Sequence, residues 1–389
     1  MKVGVLSFLL MFVGLPAYAH EHAQGEVRYF AGMAGVITPM MEYIPKGEID
    51  AEKATIIDHY RVVYDADKRL KSIKYFSRGK PSNEAYFQTH EVRYSYPNSQ
   101  RIREYFGADG AAMAMWRHYY GSANIQKEIY TRDGDIVTLH MFGLEDERVT
   151  AGTGSHEYRA DYSDTRGFIQ TQFKEDGTPN VIFDYLPFET SVITRNEFGY
   201  LYQILQIDPE SGAVIDHDEA GFAEMRLMFD EYGSENGWEF RNAKGQLANR
   251  AATAVDPGYA RWLYEFEWED QRLGRFRVMN EYYETADGSS FCSNDVVCLR
   301  RMKFDAHRNV ISSETFGADG GLVTDPGAGY AKVELDYDAQ GRRTEARYMG
   351  ADGALRTTGV AVRRTYYDAA GAAITEEFDH AGDLIPAAE

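Results

Sequence analysis

The 389-residue sequence predicts an all-β chain, an elongated, twisted or curled antiparallel sheet built from about ten β-hairpin repeats, with a β-propeller as the alternative. Three observations lead there. Thirty-six glycines against 11 prolines, with 28 tyrosines, favour strands joined by tight turns over helices. An aromatic–Asp turn followed by a glycine turn recurs through most of the chain, at a spacing of about 34 residues. Where the repeat is plainest its strands alternate in polarity: Val333, Leu335 and Tyr337 share one face, and Lys332, Glu334 and Asp336 the other.

The elements follow in chain order. Residues 1–19 read as a cleavable secretory signal: Lys2 supplies the positive end, Val3 to Leu15 is apolar, and Ala17-Tyr18-Ala19 fits a small-residue cleavage site. The apolar run is short for a retained membrane span, so the mature chain is expected to be periplasmic or extracellular, exported by a bacterium. Residues 20–55 stand outside the repeat. Gly25 to Met41 is weakly apolar and Pro45-Lys46-Gly47 marks a turn, so this leader is expected to cap an open sheet edge.

The repeat array is placed at 56–383. Its first aromatic position is filled by Tyr64, Tyr96, Tyr120, Tyr162, Phe198, Phe229, Trp268, Phe304, Tyr337 and Tyr367. The second turns answer at Gly79, Gly110, Gly134, Gly177, Gly212, Gly245, Gly288, Gly320, Gly353 and Gly382. Asp after the aromatic can accept backbone N–H bonds from two residues on, and glycine admits a positive φ that a Cβ disfavours. A linker recurs just before a first strand, as Gly221-Phe222-Ala223, Gly258-Tyr259-Ala260, Gly329-Tyr330-Ala331 and Gly359-Val360-Ala361. About twenty strands at ~4.8 Å spacing would make a flat meander about 95 Å long. Sheets of that extent curl or split. Residues 384–389 are expected to be a frayed tail.

Cys292 and Cys298 are the only cysteines, and in an oxidising compartment they are expected to form a local disulfide. They lack the C-x-x-C spacing of a redox pair, and two thiolates cannot build a structural zinc site.

The motif Tyr337-Asp338-Ala339-Gln340-Gly341-Arg342 resembles the Tyr-Asp repeat of RHS/YD-type proteins, which are secreted or surface β-hairpin arrays of bacteria. The likeness runs loosely from Tyr64 to Gly382 and is specific from about Arg301 onward. The units here are longer, and no toxin domain is recognisable after the last of them. The resemblance implies a repeat scaffold and no reaction.

Charge and motifs narrow the function. With 41 Lys+Arg against 61 Asp+Glu, the formal charge of −20 opposes general binding to nucleic acid or anionic membrane. No P-loop, dinucleotide-binding glycine motif, His-Glu-x-x-His helix or Gly-x-Ser-x-Gly elbow occurs, so no catalytic residue and no cofactor are assigned. Cleavage after Ala19 would leave His20-Glu21-His22, whose amine, amides and imidazoles can chelate Cu(II) or Ni(II), which makes His20 and His22 the metal candidates. Asp216-His217-Asp218-Glu219 is a dense donor cluster, read as a solvated loop. Asp109, Asp319 and Asp352 are read as turn residues, because each turn offers a single carboxylate where calcium wants six to eight oxygens. His59, His90, His118, His140 and His156 show no metal-ligand spacing, and Gly152-Thr153-Gly154-Ser155-His156 is read as a loop. Glu265, Glu267 and Glu269 share a strand face and would suit a glycosidase only beside a sugar cleft. The aromatic residues serve first as core and second as a stacking platform. The expected function is an exported non-catalytic scaffold that binds a protein, peptide or envelope glycan. The alternatives are Cu(II)/Ni(II) binding at the mature N-terminus and a carbohydrate-active enzyme.

Overall fold

The computed structural model describes residues 25–117, 121–251, 258–293, 296–368 and 372–386. Among these, twenty-five strands belong to one antiparallel sheet, and Met115–Arg117 pairs separately with Gly121–Ile125. Ile44–Ile49 lies at one edge against Val27–Ala34, which in turn pairs with His59–Tyr64. From His59–Tyr64 the sheet runs as a meander to Ala373–Phe378 at the other edge. The sheet is curled and not closed into a barrel, as the hairpin repeat predicts and a propeller does not.

Turn chemistry sets the hairpins. In Tyr337–Arg342 the Asp338 carboxylate accepts the backbone N–H groups of Gln340 and Arg342, each at 2.9 Å. Asp65, Asp230 and Asp305 do the same in their own turns. The aromatic that opens the motif then ties one unit to the previous one. Tyr96, Tyr337 and Tyr367 donate their hydroxyls to the carbonyls of Leu70, Val310 and Arg343, at 2.9, 2.8 and 3.0 Å. These phenols are half-buried, and the bond each makes to a backbone carbonyl explains why tyrosine serves here as more than a hydrophobic filler.

The linker motif has a purpose that its sequence does not announce. Ala223, Ala260, Ala331 and Ala361 are buried, at 0–1% exposure. Each takes one backbone bond from the strand before it and gives one to a strand beyond. For Ala331, Thr315 N donates to its carbonyl at 2.9 Å, and its own N–H reaches Met349 O at 2.8 Å. Ala260 does the same between Phe240 and Glu284. These alanines continue the ladder across the gap between units, in a space that admits one methyl group.

The meander returns upon its own beginning. Lys46 in the edge strand donates to Gly233 O at 2.9 Å, and Lys53 lies 3.8 Å from Asp270. A small cluster of Ile49, Ala54 and Leu273 covers the edge strand with the tip of a late hairpin. Arg78 reaches the carbonyl of Ala339 in the turn of a still later unit.

Inside the curl runs the segment between the first two strands. Val36, Ile37, Thr38, Met40, Met41 and Tyr43 are all 1–4% exposed. Their polar contacts span the inner wall: Tyr86 OH with Val36 N and O, Tyr130 OH with Pro39 O, Arg103 with Met41 O, Tyr105 OH with Tyr43 OH, and Gln170 with Thr38. At Gly35 an added Cβ would lie 3.2 Å from a Glu235 carboxylate oxygen, so a side chain there would crowd that carboxylate. The leader expected to cap an edge therefore supplies two strands and the filling of the core. The fully buried Arg103, 3.3 Å from the equally buried Glu128, anchors this filling electrostatically, and Tyr105 OH satisfies Glu128 at 2.8 Å.

Candidate functional site

Where the first strands meet the later turns, they leave a cleft of about 410 Å³. One wall is formed by the strands Val27–Ala34, His59–Tyr64 and Leu70–Ser77 with the loop that follows, and the other by the turns at His307–Asn309 and Gln340–Gly341. Tyr60 and Tyr75 sit side by side with ring centroids 4.8 Å apart, and Tyr60 OH accepts the Tyr86 N–H at 2.8 Å. Asp58 is committed to the turn, taking Arg78 N at 2.7 Å and Ser77 Oγ at 3.1 Å. Lys46 stands at the inner end, its ammonium pulled down to about 8 by burial and by the charge of Arg308, with Asp230 and Glu235 acting in the opposite direction. Burial raises the Tyr75 phenol well above its usual range, so it is a neutral hydroxyl at physiological pH.

Arg308 is the unusual member. In the sister turns the fourth residue is Gly199, Gly233 or Gly341, at φ of 86°, 77° and 82°. Arg308 occupies that left-handed position at φ 67°, and Lys68 does so in the first hairpin at 62°. A side chain there costs about 1 kcal/mol or more that glycine avoids. The Arg308 guanidinium lies 5.5 Å from the centre of the Phe276 ring, and among the described residues it makes no ion pair.

Phe276 belongs to an aromatic row that runs out of the core. Trp262, Tyr264, Phe266 and Trp268 alternate along one half-buried strand face, with neighbouring centroids 5.7, 6.3 and 4.6 Å apart. Phe276 extends it at 4.7 Å from Phe266, and Phe304 at 5.0 Å from Phe276. Glu265, Glu267 and Glu269 occupy the opposite, exposed face, as their alternation predicts. Glu265 accepts the Tyr282 hydroxyl, and Glu269 pairs with Arg275 and Arg277.

The other candidates fall to structural roles or outside the description. His20, His22 and the whole signal segment lie outside the described residues, as do Tyr120 and His118. Cys292 and Cys298 form the expected disulfide. Asp216 accepts the Ala243 N–H at 2.7 Å and His217 Nδ1 the Ala220 N–H at 3.1 Å, so the dense donor loop is tied to the turn at Ala243 and to its own backbone. Asp109, Asp319 and Asp352 cap the N–H groups of Ala111, Gly321 and Ala354 at 2.9–3.0 Å. His59 stacks on Phe76, His90 meets the edge of the same ring, His140 pairs with Glu157 and His156 with Thr150. The loop at Gly152 to His156 is pinned by Asn180, which donates to Thr153 O and Ser155 Oγ at 2.9 Å. Among the described residues no group of three His, Cys, Asp or Glu side chains converges as a metal site, and no helix is long and apolar enough to cross a membrane.

Sequence reasoning did not single out Lys46, Tyr60, Tyr75 or Arg308. A signal existed for the last alone: Asp305-Ala306-His307-Arg308-Asn309 lacks the glycine that Asp338-Ala339-Gln340-Gly341 carries.

No protein-family model matches the chain, and no curated protein matches it. Among solved structures it is similar to the crystal structure of TcdB2-TccC3-TEV, at 12% identity and a TM-score of 0.22, covering 84% of this chain and 19% of that one. It is similar as well to the crystal structure of TcdB2-TccC3-Cdc42, at 12% identity and a TM-score of 0.23, covering 92% of this chain and 25% of that one. This chain spans a quarter of their length or less.

Proposed function

We propose that the chain is an exported, non-catalytic repeat scaffold of the RHS/YD type whose curled sheet binds a protein, peptide or envelope glycan, in the periplasm or outside the cell. The observation that carries this reading is the aromatic row from Trp262 to Phe304, half-buried and running out of the core to Phe276, whose ring lies 5.5 Å from the guanidinium of the cleft residue Arg308. Closed aromatic cores hide their rings; a row left partly open at the margin of a concavity presents flat, polarisable faces to a ligand. The reactive-looking side chains offer no competing centre, since Asp216, Asp319, Asp352 and Glu269 are each engaged in turns or surface ion pairs.

Retention assays on purified residues 20–389 test the reading, with envelope protein, cell-wall and polysaccharide fractions as probes, each with and without Cu(II). Saturable retention of one fraction, unchanged by copper and without chemical change in that fraction, is the expected result. Absence of retention on every fraction overturns it, and so does progressive breakdown of a polysaccharide, which would make the chain an enzyme.

A further inference from the structure

We propose that the cleft between the first strands and the Asp305–Asn309 turn is a binding site for an acidic saccharide, with Arg308 as the group that selects its carboxylate. The inference rests on the scaffold reading and names the ligand class that the scaffold takes.

A cavity of about 410 Å³ falls within the range of small-ligand sites, which run from about 300 to 1,000 Å³. Charge comes next. The chain carries −20 overall, yet three cations, Lys46, Arg78 and Arg308, line this one cleft against the two carboxylates of Asp58 and Glu84. Two of these cations are already used, Lys46 on Gly233 O and Arg78 on Ala339 O. Arg308 is held in the left-handed conformation where three sister turns carry glycine, and it lines the cleft without an ion pair among the described residues, with the Asp58 carboxylate of the same cleft acting on it only through space. Lys68 carries the same strain in the first hairpin, but of these two side chains only Arg308 lines the cavity, which points to use of the side chain. A guanidinium fork pairs with a carboxylate through two parallel N–H donors, which a lysine in its place would not reproduce.

The remaining walls identify what bears that carboxylate. The neutral Tyr75 hydroxyl and the exposed Glu84 carboxylate stand within the same cleft and suit ligand hydroxyls as partners, while the Tyr60 and Tyr75 rings supply faces for a sugar ring. A peptide is disfavoured, because the strands Val27–Ala34, His59–Tyr64 and Leu70–Ser77 are paired on both sides and the edge strand Ile44–Ile49 is covered by the hairpin tip at Arg272 and Leu273. A ligand that carries a carboxylate together with several hydroxyls satisfies both walls at once.

The test is calorimetric titration of residues 20–389 with trisaccharides of galacturonic and of mannuronic acid, and with the neutral galactose trisaccharide as reference. An acidic trisaccharide is expected to bind at least tenfold more tightly than the neutral one. Arg308→Gly, which restores the residue of the sister turns and so keeps the turn, is expected to remove that preference while the melting temperature stays level or rises. No binding by either acidic trisaccharide, or equal binding by wild type and Arg308→Gly, overturns the assignment. The fraction assay keeps the two readings apart: if envelope fractions retain wild type and Arg308→Gly equally, the scaffold stands and the cleft does not.

Discussion

Glu235 shows how far a single ionisable side chain can couple the inner filling to the sheet. Its carboxyl lies against Gly35, accepts the Trp238 indole N–H, and is raised from 4.5 to about 7, chiefly by burial, with Trp238 and Lys46 pulling the other way. Between those two values the folded chain holds a proton that the unfolded chain has released. Stability must therefore be greatest below pH 4.5 as far as this group is concerned, and must fall as pH rises towards 7. The expected size is on the order of 1–3 kcal/mol. Glu235→Gln, neutral at every pH, should flatten the dependence across that window and be the more stable protein at pH 8. Denaturant melts of the two proteins at pH 5, 6, 7 and 8 decide it; parallel curves would mean that Glu235 titrates as an ordinary carboxyl. Arg308 reverses the case, since its cost lies in the backbone and is insensitive to pH.

At the scale of the element, the junction alanines set how closely one unit can follow another. Ala331 is 1% exposed and bonded on both sides of its peptide, so extra side-chain atoms have nowhere to go except into the strands that it joins. Ala331→Leu should cost about 1–3 kcal/mol through overpacking. The loss should be centred on the Lys332–Tyr337 hairpin, and amide exchange at Thr315, Ala331 and Met349 is the readout. An unchanged exchange pattern would show the junction to be looser than its burial implies. Much of this element-scale order is legible in the sequence because it is local: Asp338 and the two N–H groups it caps lie within four residues, and all ten predicted turn glycines have positive φ. What is illegible is non-local. The segment Val36 to Tyr43 has neither a two-residue alternation nor a repeat to mark it, and its partners at Tyr86, Tyr105, Tyr130 and Gln170 are distant in the chain. The cleft suffers the same fate, since Lys46 and Arg308 meet only because the sheet curls.

For the molecule as a whole, that curl has to be stabilised by something, because a meander of hairpins satisfies its backbone bonds equally well when extended. Sheet twist supplies curvature but no preferred radius. The radius is set by what fills the inside. Met40 and Met41, 2% and 1% exposed, belong to the same core cluster as Ile73, Leu139, Phe168, Ile204 and Leu227, residues drawn from strands all around the wall. Truncating a buried methionine to alanine costs about 2–5 kcal/mol through lost transfer energy and the cavity left behind. The double variant Met40→Ala/Met41→Ala should therefore do more than lower stability. With its filling loosened, the curl should open, and the radius of gyration from X-ray scattering should rise while the far-ultraviolet strand signal persists. Val333→Ala is the control, since Val333 is also buried but lies outside that central cluster, in the late hairpins. Its loss should lower the melting temperature and leave the radius alone. If both variants kept the wild-type radius, curvature would belong to the sheet itself and the inner segment would be a passenger. If the methionine variant alone expanded, the N-terminal segment would be the part that turns a repeating ribbon into a molecule with an inside, and the cleft beside Arg308 should lose its ligand together with the curl.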